Sequence, residues 1–109
     1  MSQAVAHSSV VYMAGQVADT RSGDPAVQNC AVPAKIDALL KHAGSDRIRL
    51  LSVSVFLAHI HDFEAMNAVY DQWVKDSVPP GRVCTEARLA DPALRIEVSA
   101  VGAAAERSA

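Results

Sequence analysis

From Ile48 to Leu57 the chain alternates, with Leu51, Val53, Val55 and Leu57 on one face and Leu50, Ser52, Ser54 and Phe56 on the other, which is the period of a β-strand. Apolar residues on both faces place such a strand in the middle of a sheet. The flanking segments must then supply neighbouring strands and a helical layer. On one side, Asp24-Pro25 offers an N-cap followed by proline at the first helical position, and Ile36, Leu39, Leu40 and Ala43 fit a helix from about Ala26 to His42, closed by Gly44. The turn chemistry of Arg21-Ser22-Gly23 precedes it, and Pro33 inside it predicts a kink or a helix that becomes regular only later. On the other side, Asp62 is placed to cap a second helix whose stripe Phe63, Met66, Val69, Tyr70 and Trp73 recurs at three and four residues, up to Pro79-Pro80-Gly81.

Both ends of the chain read as strand pairs. Ser2 to Ala6 and Val10 to Ala14 flank the polar break His7-Ser8-Ser9. Arg82 to Leu89 and Leu94 to Val101 alternate around Ala90-Asp91-Pro92-Ala93, a short connection that predicts antiparallel pairing. The order ββαβαββ predicts an α+β subunit with both helices on one face of a mostly antiparallel sheet. With no repeat or linker, residues 1–102 read as a single domain and residues 103–109 as a flexible tail.

Composition narrows the function classes. In 109 residues, ten Lys plus Arg stand against twelve Asp plus Glu, a net charge of −2 with no basic block. That argues against a nucleic-acid partner. Half the residues are hydrophobic, too many for a disordered chain, yet none of them forms the run of ~20 that a membrane span requires. Cys30 and Cys84 are far apart, make no CxxC, and follow no basic-then-apolar leader, which predicts a reducing, cytoplasmic setting. A small domain buries only part of its apolar surface, so this composition also predicts a partner subunit over some of it.

The last two strands carry the candidate chemistry. If Arg88 stands opposite Arg95, then Glu86 faces Glu97, Cys84 faces Ser99, and Arg82, Cys84 and Glu97 share one face. A guanidinium can hold a carboxylate by two parallel hydrogen bonds, and a carboxylate with another beside it tends to keep its proton, which suits proton transfer. This equipment suits hydrolysis of a small anion, although a solvated hairpin face would use the same residues. His59-Ile60-His61-Asp62 has no third ligand in view, so no metal site is expected. No His or Asn is assigned to activate Cys84, which leaves its backbone N–H as the useful group. The stripe Phe63, Met66, Tyr70 and Trp73 reads as core, and Gly15 suits either a strand-ending turn or close ligand approach.

Taken in order, Ser2-Gln3-Ala4-Val5, Val11-Tyr12-Met13-Ala14-Gly15-Gln16, Gln28, Asp62-Phe63 with Asn67 and Tyr70, Gly81-Arg82-Val83-Cys84-Thr85-Glu86 and Ile96-Glu97-Val98 resemble the RidA/YjgF family, and within it the YoaB-like branch. The resemblance implies a chorismate-mutase-like subunit and a homotrimer with clefts between subunits. It also implies cofactor-independent hydrolysis of 2-imino or enamine acids to 2-oxo acids and ammonia. By position, Arg82 would clamp the substrate carboxylate, the backbone at Val83 and Cys84 would orient it, and Glu97 would activate water and move protons. Asn67 and Gly15 would reach the cleft from the neighbouring subunit, with Ala14 beside Gly15. Two departures stand out: Met1 occupies the place of the family's tyrosine in Gly-Pro-Tyr, and Ala14 that of the serine before Gly-Gln. Alternative readings are a non-catalytic trimeric module that binds small carboxylates and a ribonuclease that inhibits translation.

Overall fold

The computed structural model describes residues 1–19 and 24–104, so Arg21-Ser22-Gly23 and the tail from 105 onward lie outside the described residues. The elements follow in the order β1 (Ala4–His7), β2 (Val10–Met13), α1 (Pro25–His42), β3 (Leu50–Leu57), α2 (Phe63–Trp73), β4 (Gly81–Glu86) and β5 (Ile96–Ala103). This is the ββαβαββ order read from periodicity. Helix α1 starts where a cap permits: the Asp24 carboxylate accepts from Ala26 N–H at 2.9 Å, and Pro25 needs no donor in the first turn. It continues through Pro33 as one helix. Gly44, at φ +77°, ends it in a Schellman arrangement with Ser45 N–H donating to the Leu40 carbonyl.

Asp62 departs from its expected role. It makes no side-chain cap for α2; its buried carboxylate takes Arg95 Nε and Nη2 instead, each at 3.0 Å. A bidentate guanidinium neutralises a buried carboxylate far better than one backbone N–H can.

The five strands lie in the order β1-β2-β5-β3-β4. Strand β5 is antiparallel to both β2 and β3, while β4 pairs with β3 in parallel through the α2 crossover. The expected β4–β5 hairpin is therefore absent. Its would-be turn is held elsewhere: fully buried Gln28 on α1 donates to the Ala93 carbonyl at 2.8 Å and accepts from Arg95 N–H at 2.7 Å. Asp91 caps Ala93 N–H, and residues 87–95 carry the chain over the end of β3. Burial decides which strand takes the centre. Every second residue of β5, from Ile96 to Gly102, is buried, whereas β4 has exposed residues on both faces and suits an edge. Strand β5 also runs through Ala103, which pairs with Val10, and Ala104 N–H reaches the Ser9 carbonyl, so ordered pairing passes the boundary expected at residue 102.

Helices α1 and α2 pack on one sheet face. Val32, Ile36 and Leu40 from α1 and Met66 and Trp73 from α2 meet Val11, Met13, Val53, Val55, Leu57, Ile96, Val98 and Ala100 from the strands. One register differs from simple alternation. A bulge between Leu50 and Ser52 turns Leu50 inward and leaves Leu51 51% exposed, the reverse of the expected pair. The opposite sheet face carries Val5, Tyr12, Ser54 beside Ser99, and Val83, and neither helix covers it.

Two stability predictions follow from these contacts. Gln28→Leu removes the buried amide that bridges the part-buried Ala93 carbonyl and Arg95 N–H, and should lower unfolding free energy by about 1–3 kcal/mol, read by urea denaturation. In the β1–β2 turn, Ser8 and Ser9 hold φ of 50° and 67°, a geometry that favours Asn-Gly. The pair Ser8→Asn with Ser9→Gly should raise stability by about 1 kcal/mol in the same measurement.

Candidate functional site

The parallel β3–α2–β4 unit decides what surrounds Arg82. Residues directly across a ladder share a face, and Arg82 stands beside Val53, which stands beside Ala100, all on the face under the helices. Cys84 follows two residues later, beside Val55 and Val98. Helix α2 passes over this edge and meets the guanidinium with three side chains. Asn67 Oδ1 accepts from Arg82 Nη1 at 2.6 Å, the Tyr70 ring lies 4.5 Å from the guanidinium carbon, and the Phe63 ring lies 5.7 Å away. No carboxylate among the described residues comes within ion-pairing distance of Arg82. Arg95, by contrast, is neutralised by Asp62 at 2.9 Å.

Glu97 lies elsewhere. It is one residue out of phase with the buried set of β5, beside Phe56, and therefore on the open face. A paired bridge between Gln16 and Val98, with N–H to carbonyl distances of 2.7 and 3.0 Å, brings Gly15 against it. A Cβ at Gly15 would fall within 2.8 Å of Glu97 Cδ and overlap its Oε2. A side chain at this position would thus push the Glu97 carboxylate aside, which glycine avoids. Gln16 itself is anchored through Nε2 to Gln3 Oε1 and to the Ala14 carbonyl, both at 3.0 Å, which ties the segment carrying Ala14 and Gly15 beside Glu97.

The expected grouping is corrected in two respects. Arg82 and Cys84 do not share a face with Glu97: the hairpin register linked positions 86 and 97, whereas the real ladder links Arg82 to Ala100 through Val53 and puts Glu97 on the other side. Asn67 does not meet Arg82 from a second subunit either; both belong to the same chain, as do Gly15 and Glu97. Val83 lies on the open face, 61% exposed. Arg82 and Glu97 are therefore two separate candidate half-sites, a cationic one at the β4 edge and a carboxylate one on the open face. A cavity of about 690 Å³ lined by His59, Glu86, Arg88 and Asp91 contains neither.

Tyr70 and Phe63 were read as core and belong in part to this edge. Their spacing with Asn67, at i, i+4 and i+7, was the available signal. Burial pushes the Tyr70 hydroxyl above its usual range, with Arg82 opposing and Asp71 adding to the rise. His59 and His61 stack at 5.3 Å, and no cluster of three metal-ligating groups occurs among the described residues.

Burial also raises the Cys84 thiol, with Arg82 partly offsetting it. A raised value means less thiolate at each pH. In a Cys30→Ser background, which removes the exposed thiol, alkylation of Cys84 by iodoacetamide should be slow at pH 7.5 and keep accelerating beyond the ordinary thiol range. A rate plateau below that range, followed by mass spectrometry, would contradict this assignment.

Comparison with known proteins places this geometry. The family described as Endoribonuclease L-PSP matches residues 1–104. The RutC family protein YoaB of Escherichia coli K12 is 34% identical over 102 residues, covering 94% of this chain and 89% of its own. A human protein named 2-iminobutanoate/2-iminopropanoate deaminase is 33% identical over 106 residues, covering 92% of this chain and 77% of its own. Among solved structures, a YjgF-family protein from Neisseria meningitidis superposes with a TM-score of 0.93 at 33% identity, covering 98% of this chain and 89% of that one. A match over nearly the whole chain, with the two-helix, five-strand architecture shared, means that the protein belongs to the Endoribonuclease L-PSP family, the RidA/YjgF group that includes YoaB.

Proposed function

We propose that the protein hydrolyses small 2-imino and enamine acids to 2-oxo acids and ammonia, in clefts between the subunits of a homotrimer. The observation that carries this reading is Arg82, a half-buried cation held, among the described residues, by uncharged groups and therefore open to an anion. Membership in a family with a human deaminase at 33% identity supports the choice of anion. The two half-sites support the assembly. Arg82 and Glu97 cannot converge within one chain, and the open face with Tyr12, Leu51 and Val83 at 50–61% exposure is apolar enough to be covered by a second copy. Arg82 with Asn67, Val83 and Cys84 from one subunit would then face Ala14, Gly15 and Glu97 of the next. This replaces the division in which Asn67 and Gly15 came from the same side.

In the proposed reaction Arg82 grips the substrate carboxylate at its free edge, and the backbone at Val83 and Cys84 aligns it. Glu97 takes a proton from water as the oxygen bonds to the imine carbon and the C=N π pair moves to nitrogen. The carbinolamine then collapses: Glu97 returns that proton to nitrogen, the C–N pair leaves with nitrogen as ammonia, and the hydroxyl oxygen forms the C=O bond as its own proton passes to the freed Glu97 carboxylate. An iminium carbon is already electrophilic, so positioning and proton transfer are the main tasks. No cofactor enters this scheme. With Ala14 in place of serine, the cleft has one fewer hydrogen-bonding group to discriminate among side chains, so several small imines should be accepted with kcat/KM within about tenfold of each other.

The test generates 2-iminopropanoate or 2-iminobutanoate in place with an amino-acid oxidase and follows its loss. Wild type should accelerate loss, and light scattering should give a mass near three times that of the 11.5 kDa chain. Arg82→Ala should lose about one to two powers of ten in kcat/KM, with no rescue by Arg82→Lys, since an ammonium lacks the fork. Glu97→Gln should stop turnover and leave 2-oxobutanoate binding intact. An inactive trimer that still binds 2-oxobutanoate would mean the carboxylate-binding module instead, and a monomer at all concentrations would end the cleft reading.

A further inference from the structure

Arg82 rests on a stripe of α2 that carries no charge. Phe63, Asn67 and Tyr70 recur at i, i+4 and i+7, and all three turn toward β4: two ring faces at 5.7 and 4.5 Å from the guanidinium carbon, and one amide oxygen on Nη1 at 2.6 Å. Asp71 stands one step behind, its Oδ2 at 3.5 Å from Asn67 Nδ2, where it favours the amide orientation that turns the carbonyl toward the arginine. We infer that this stripe is the device that makes the cleft select carboxylates: Phe63, Asn67 and Tyr70 are positioning residues that orient the Arg82 guanidinium with ring quadrupoles and one dipole while leaving its charge uncompensated for the substrate.

The inference rests on the reading of Arg82 as a carboxylate clamp. Its physical content is a choice between two ways of holding an arginine, and the chain uses both. Arg95 is held by the Asp62 carboxylate, which takes its Nε and Nη2 and cancels its charge, so this arginine serves the fold. A carboxylate at position 67 would bind Arg82 more strongly than the amide does, because hydrogen bonds between ions are stronger than those to neutral groups. It would also occupy the cation. A neutral acceptor and two π faces fix the guanidinium without that competition. Asn67 uses Nη1, and no described residue takes the Nε–Nη2 edge, the pair of donors best matched to a carboxylate. Holding the fork in place beforehand reduces the ordering cost when the ligand arrives.

The experiment measures 2-oxobutanoate binding by calorimetry, imine kinetics, and the Arg82 Nε–H resonance by ¹⁵N NMR, on the assembled protein. Asn67→Asp, similar in size and half-exposed, should weaken 2-oxobutanoate binding at least tenfold and raise KM with kcat within about twofold, while the melting temperature holds. Tyr70→Leu should weaken binding about three- to thirtyfold, Tyr70→Phe should restore it, and the leucine variant should shift the Nε–H resonance and speed its exchange. Unchanged affinity in Asn67→Asp, or an Arg82 resonance identical in wild type and Tyr70→Leu, would overturn the inference. If wild type binds no 2-oxobutanoate, the clamp reading fails and selection of carboxylates with it, while the NMR comparison still decides whether the stripe orients Arg82.

Discussion

Strand β5 lies between β2 and β3, and Glu97, Gly15 and the sheet edge that carries Arg82 take their positions from that insertion. A strand with one face fully buried gains most at the centre of the sheet, and Ile96, Val98 and Ala100 supply that face. Once β5 occupies the centre, β4 is displaced to the far edge of β3, where only a parallel pairing is open to a strand arriving from α2. The same insertion exposes Glu97 on the open face and sets Gly15 beside it through the Gln16–Val98 bridge.

The insertion needs the chain between β4 and β5 to travel, and polar contacts guide it. Gln28 offers its amide to both the carbonyl and the N–H that a hairpin would otherwise have used, and the Asp62–Arg95 pair anchors the start of β5 to the start of α2. Buried polar groups of this kind are costly when unpaired and specific when paired. They select this crossover over a local hairpin that the apolar pattern alone would tolerate. Arg95 and Arg82 thus differ in their partners: Arg95 is paired with a carboxylate that helps close the fold, and Arg82 is held at the sheet edge by an amide and two rings.

Much of this was legible beforehand. The periodicities located all seven elements, Asp24-Pro25 and Gly44 marked the ends of α1, and the ordered motifs from Ser2 to Glu97 pointed to the family that the comparisons establish. Where the reading failed, it failed on partners. The alternation over Arg82 to Leu89 and Leu94 to Val101 predicts two strands, which end and begin at Glu86 and Ile96, yet these neighbours in sequence are not neighbours in space, and the hairpin pairing carries Glu97 to the wrong face. Asp62 had the residue type and position of a cap and found a stronger partner from 33 residues away.

The sequence by itself determined what is written at short range: the element order, because hydrophobic period and capping chemistry act within a few residues, and the residue types present, an arginine, a carboxylate and the glycine beside it. Only the tertiary structure decided which strands pair, which face each side chain takes, and that Asn67 and Tyr70 hold Arg82 while Gly15 makes room for Glu97. The reason is physical. Strand pairing is settled by burial summed over the whole sheet and by buried hydrogen bonds between distant residues, and a shift of one position in that lattice moves every side chain of a strand to the opposite face.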